Sequence, residues 1–206
     1  MIWFVLLLGI VGDFLIVYVL ALFYPGYSHN KQVMSSLGSL ESPVCNIYST
    51  WLVILGVIFI IASFEIYFLI KSYSKTAGIF SFCIVYVYGI GAGIIAGVFK
   101  ISNDLNSLSS KIHGIGSGIG FIALVFLSLV IGLTLLRQDN HVFGICFLNI
   151  FVVSVFFFIL FVISEREVYA NSIISLTGLW QRILLLLMYS PLIYIAIKQI
   201  NNKVIK

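Results

Sequence analysis

Apolar residues fill this chain in six long blocks, each separated from the next by a cluster of polar, charged or turn-forming residues. The blocks run from Ile2 to Tyr24, Ile47 to Lys71, Ala77 to Lys100, Ile112 to Leu136, Val142 to Ser164 and Ser172 to Lys198. Each supplies the roughly 20 residues a helix needs to cross the hydrocarbon core of a bilayer. The pattern therefore predicts an all-α fold, a polytopic membrane bundle of six transmembrane helices in one integral domain over residues 1–206. The breaks beginning at Ser72 and Arg137 are so short that they predict tight antiparallel hairpins, whereas those after Tyr24, Lys100 and Ser164 leave room for structured loops. The first block lacks a basic leader and a small-x-small cleavage pattern, and it carries Asp13 in mid-run, so it reads as a retained span rather than a signal peptide.

Composition agrees and narrows the choices. Hydrophobic residues make up 62% and charged residues 9%, with mean hydropathy +1.19, which leaves no length for a separate soluble catalytic domain. The net charge of +4 comes from Lys and Arg placed singly at block ends. That is a topology signal, and no basic run interleaved with aromatics points to nucleic acid. Cys45, Cys83 and Cys146 have no CxxC spacing, and the last two fall in apolar runs as packing residues.

An even number of spans puts both termini on one side. With that side cytoplasmic, Lys71, Lys75, Arg137, Lys198, Lys203 and Lys206 lie inside against Lys31, Lys100, Lys111 and Arg166 outside, the bias expected of a cell-membrane protein. The three longer loops, with Glu41, Asp104, Glu165 and Glu167, then face outward.

The first of these loops is the richest in signals. Pro25-Gly26 is a turn, Ser28 can cap a short helix, Gly38 suits a left-handed position ending it, and Ser42-Pro43 opens the second span. On such a helix His29, Gln32 and Ser36 fall within about 60°, a polar stripe over the mouth of the bundle beside an apolar edge of Val33 and Leu37. The sequence Tyr24-Pro25-Gly26-Tyr27-Ser28, followed by Ser36-x-Gly38 and Ser42-Pro43, resembles the family designated domain of unknown function 998. Two other stretches share the resemblance: Ile112-His113-Gly114-Ile115-Gly116 after an acidic loop, and Gly178-Leu179-Trp180-Gln181-Arg182 opening the last span. It covers essentially the whole chain and implies a six-span prokaryotic membrane protein, with no reaction to carry over.

Asp13 lies about 16 Å below Tyr24 at 1.5 Å per residue, near the bilayer midplane, where a carboxylate needs a partner. An ion pair or shared network with Arg182 of the last span is expected, serving either helix register or ligand and lipid binding. Glu165, Glu167 or a lipid phosphate are alternative partners for Arg182. Glu65, six residues before Lys71, reads as snorkelling or paired near the cytoplasmic end, and a proton relay with Asp13 is a lesser alternative. Gly89, Gly93 and Gly97 on the third span, and Gly114, Gly118, Gly116 and Gly120 on the fourth, have the spacing that lets helices approach closely. These two spans are expected to pack on each other beneath Asp104 and His113. Pro191 hints at a break in the last span, and His141 sits solvated in a cytoplasmic turn.

The candidate ligand-binding set is therefore His29, Gln32, Ser36, Asp104, His113, Arg182 and Asp13, expected to converge on one outward-facing pocket. Its partners would be membrane lipids or a small molecule. A Ser36, His113 and Asp104 constellation would suit acyl transfer or hydrolysis, but no nucleophile-elbow motif accompanies it. A metal hydrolase would want more histidines than His29 and His113, and no metal or cofactor is implied. A binder of a lipid headgroup or small molecule, or an accessory or transport component, is preferred, with a lipid-active enzyme as the alternative.

Overall fold

The computed structural model describes residues 1–104, 106–170 and 172–204. Six helices are long and apolar enough to cross a membrane: α1 (Ile2–Ala21), α2 (Cys45–Ile70), α3 (Lys75–Val98), α4 (Leu108–Leu136), α5 (His141–Ser164) and α6 (Thr177–Val204). No strand occurs among the described residues. Consecutive helices pack side by side, and α6 returns against α1, so the bundle closes into a ring with α4 also touching α6. The start of α1 and the end of α6 lie at one end, here the terminal end, and the three longer connections at the other, the loop end.

The helix limits follow local chemistry. Ser74 caps α3 by accepting from Ala77 N, and Ser107 caps α4 by accepting from Ser110 N, in the manner of short hydroxyl side chains at helix starts. The last span begins later than its apolar block, at Thr177, because Ile173–Ser175 forms a separate 3-10 turn. Pro191 does not break α6. Proline removes the N–H that would reach the carbonyl four residues back, and the Ser190 hydroxyl donates to that carbonyl, Leu187 O, at 2.7 Å. The two short connections are tight hairpins, with Gly78 against Lys71 and Gly144 against Leu136.

The glycine rows pack only in part as expected: α3 and α4 do pack on each other, through Gly116 and Gly120 of the fourth span, but the row on the third span turns elsewhere. Gly89, Gly93 and Gly97 face α2, where a Cβ on Gly97 would stand 2.6 Å from Ser49 O and one on Gly56 would stand 2.6 Å from Gly89 O. Contact between α3 and α4 runs instead through Gly91, Gly116 and Gly120. Residues Gly89–Ile95 adopt a π-helical segment, which rotates successive glycines onto two neighbours at once. Gly114 and Gly118 meet nothing within 4 Å. At the terminal end α4 and α5 are tight, since a Cβ on Gly132 would lie 3.1 Å from Gly144 O.

The first loop is a turn and a 3-10 segment rather than one short helix. Gly26, at φ 82°, supplies the left-handed position of the Tyr24-Pro25-Gly26-Tyr27 turn, closed by Tyr27 N to Tyr24 O at 3.1 Å. Gln32 bonds Ser28 twice, backbone N to O at 2.8 Å and side-chain Oε1 from N at 2.7 Å. Val33 is then extended, and Met34–Gly38 forms the 3-10 turn, so His29, Gln32 and Ser36 do not share a helix face. Gly38 is not left-handed; its bare Cα admits the Tyr48 ring, which a Cβ would meet at 3.1 Å.

Cys45 is buried, and its thiol donates to Gly38 O. Cys83 and Cys146 lie exposed on the outside of the bundle rather than packed within it.

Candidate functional site: a cavity at the loop end

A cavity with a volume of about 380 Å³ reaches from the first loop down to Asp13. Its walls are mainly apolar and aromatic, with Leu52, Leu55 and Phe59 from α2, Phe121 from α4 and Phe158 and Phe161 from α5. Ala92, Gly93 and Ala96, in and just after the π-helical segment, form another wall, and Gly114 and Gly118 expose bare backbone on the α4 side. The open space beside those two glycines belongs to this cavity: α4 and α5 are tight at the terminal end and leave room between them at the loop end.

Asp13 sits at the floor. Gly12 leaves space for the Trp51 ring, which a Cβ there would meet at 2.7 Å, and the indole Nε1 donates to Asp13 Oδ1 at 3.2 Å. Tyr189 donates its hydroxyl to Asp13 Oδ2 at 2.9 Å and pairs with the Tyr88 hydroxyl at 2.5 Å. The Tyr88 and Tyr189 rings interlock with Phe59 at centroid distances of 5.0 and 5.6 Å. The expected Asp13–Arg182 ion pair does not form. Asp13 is satisfied by aromatic donors, and among the described residues the one close approach of a basic side chain to a carboxylate is His141–Asp139, at 3.9 Å on the exposed terminal end.

Arg182 holds the first loop instead. Its Nη1 donates to His29 O at 2.5 Å, Gln32 O at 3.3 Å and Gly178 O at 2.7 Å, and its Nη2 donates to the Tyr27 hydroxyl at 2.9 Å. Burial and the adjacent guanidinium hold the His29 pKa below its ordinary value, so the neutral ring accepts from Nη2 at 3.3 Å while stacking on Tyr18. Gln181 Oε1 accepts from Met34 N at 2.6 Å, and Asn30 O accepts from Leu179 N at 3.0 Å. The Gly178-Leu179-Trp180-Gln181-Arg182 stretch is thus a docking strip, with Trp180 bonded to Ile174 O at 2.8 Å. Glu165 makes no ion pair with Arg182, and the side chain of Glu167 lies outside the described residues.

His113 is 95% buried (5% exposed) and lines the cavity. Its Nδ1 lies 3.0 Å from Ala96 O and 2.9 Å from Phe99 O. Two carbonyls require Nδ1 to be the donor, and they are carbonyls freed where α3 ends. The neutral ring then presents Nε2 as an acceptor, and no described residue engages it. Asp104 is exposed and accepts from Asn106 N at 2.9 Å, so it does not orient His113. Ser36 is half-buried and outside the lining; Ser35, beside it, lines the cavity. Of the seven candidates, Asp13 and His113 share the cavity, His29, Gln32 and Arg182 form the loop anchor, and Ser36 and Asp104 stand apart. The acyl-transfer constellation of Ser36, His113 and Asp104 is not assembled. Glu65 faces outward from α2.

Lining residues missed by sequence reasoning include Tyr48, Ser110, Ser117 and Gln181. Tyr48 is 2% exposed, and no described residue bonds its hydroxyl. The loops are also stitched to each other: Leu40 N donates to Ile101 O at 2.8 Å and Asn103 N to Glu41 Oε1 at 2.8 Å.

Fold and cavity together define a six-helix bundle of membrane-spanning character, with a mainly apolar chamber opening at the loop end. The sequence matches the family described as "Protein of unknown function (DUF998)" over residues 7–198, and the chain belongs to that family. No curated protein and no solved structure matches it.

Proposed function

We propose that this protein binds a lipophilic small molecule or lipid in the loop-end cavity, and that the loop end faces the outside of the cell. The cavity carries the reading. Its volume of about 380 Å³ falls within the roughly 300–1,000 Å³ of small-molecule sites, which combine apolar walls with a few polar groups. The orientation is supported by the excess of Lys and Arg at the terminal end.

Native mass spectrometry of the full chain released from its own membranes tests the binding. The expected result is a retained mass of a few hundred daltons or more, unchanged over time. The mass should be lost in Gly118→Phe, whose ring would fill the space beside α4. Equal retention by both proteins refutes the reading, and time-dependent conversion abolished by His113→Ala would replace binding with catalysis. For orientation, Asn106→Cys should react with an impermeant maleimide in intact cells; reaction only after permeabilisation reverses the topology.

A further inference from the structure

The charges on the cavity wall are all of one sign. Asp13 stands at the floor and Glu165 at the end of α5, and no lysine or arginine is among the described lining residues. Arg182, a buried cation near the start of α6, is turned to the carbonyls of His29 and Gly178 instead. Asp13 accepts from two neutral donors, Trp51 and Tyr189, whereas a carboxylate offers about four lone-pair sites. The aromatic residues Phe59, Tyr88 and Phe121 line the same space, and aromatic rings attract cations, quaternary ammonium ions above all. An entirely apolar occupant reaching the floor would leave the remaining lone pairs of Asp13 without a partner, which is costly.

We propose that the occupant is a lipophilic organic cation, an ammonium ion on an apolar body, with its positive end directed to Asp13. This rests on the cavity being a binding site and adds the charge of what it takes. The apolar body would lie along Phe121 and Phe161 beside Gly118, and Tyr48 and His113 offer further unengaged polar atoms.

Benzyltrimethylammonium and its neutral carbon isostere neopentylbenzene form a matched pair, and the quaternary nitrogen keeps its charge at every pH. Their binding to the purified full chain in nanodiscs is measured by isothermal titration calorimetry. The cation should bind at least about tenfold tighter than the isostere. Asp13→Asn, which keeps the shape and a carbonyl acceptor, should abolish that preference while leaving neopentylbenzene binding unchanged. Glu165→Gln, at a helix end, should reduce the preference by a smaller factor, and it serves if Asp13→Asn does not fold. Equal binding of both probes by the unaltered chain overturns the cation proposal and leaves the cavity reading standing. Binding of neither probe, or binding of both undiminished by Gly118→Phe, overturns the cavity reading and the cation proposal with it.

Discussion

Gly178→Ala places a methyl group where the first loop rests on the start of α6. That Cβ would stand 2.5 Å from His29 O and 2.9 Å from Arg182 Nη1, and closer still to Gln32 O. Carbon settles at about 3.5–4.0 Å from its neighbours, so the loop must retreat by about 1 Å. Retreat stretches the Arg182 bonds to His29 O and Gln32 O and the Leu179–Asn30 bond, now 2.5, 3.3 and 3.0 Å. Hydrogen bonds to a charged group are worth about 1.5–3 kcal/mol each, so partial loss of two costs about 2–4 kcal/mol. The better helix propensity of alanine offsets no more than about 1 kcal/mol of this. Lys31 lies exposed in the anchored loop, and trypsin cutting there reads how often the loop opens. A loss of about 2 kcal/mol should raise the cleavage rate roughly 30-fold when reclosing outpaces cutting. Gly114→Ala is the control, because its Cβ would meet nothing within 4 Å. If Gly178→Ala is cut at Lys31 no faster than the unaltered chain, the anchoring argument fails.

Tyr189→Phe keeps the ring stack on Phe59 but removes the hydroxyl from Asp13 and Tyr88. Stability in detergent should fall by about 1–3 kcal/mol for each group left unpaired, and an unchanged thermal midpoint would contradict the network. Gly93→Leu should prevent α3 from seating on Gly56, seen as loss of monodisperse protein in size-exclusion chromatography, while Gly114→Leu stays monodisperse. Glu41 has its pKa lowered by the Asn103 N–H it accepts, so the charged form favours the joined loops. That contribution is complete above the ordinary glutamate pKa and is lost as pH falls through the lower folded value. Hydrogen exchange at Asn103 should show extra opening in that window, and Glu41→Gln should remove the pH dependence; the same profile in both proteins would refute the role of Glu41.

The six spans were legible because burial in lipid needs only length and apolarity, and both are written in composition. The Pro25-Gly26 turn was legible because only a few residue types adopt its backbone. The partners of the two intramembrane charges were not. Asp13 is held by Trp51 and Tyr189, whose donors sit on side chains that read as ordinary apolar residues in a span. Arg182 is held largely by backbone carbonyls, which every residue carries and no sequence pattern marks. Glycine spacing announced close approach without saying which neighbour approaches. Gly89, Gly93 and Gly97 have the same period as Gly114 and Gly118, yet the first row is filled by α2 and the second borders empty space. A cavity is a place where side chains are missing, and one helix at a time cannot show it.

Both anchors of the loop end arrive with the same segment of chain. Synthesis proceeds from the N-terminus, so α1 carries Asp13 into the bilayer and Trp51 follows with α2, long before α6 exists. Tyr189 and the Gln181-Arg182 pair emerge last, and until they do Asp13 lacks its second donor and residues 29–34 lack their bonds to α6. The final helix therefore acts as a clasp on the first, and assembly intermediates lacking it should be the ones that membrane quality control removes.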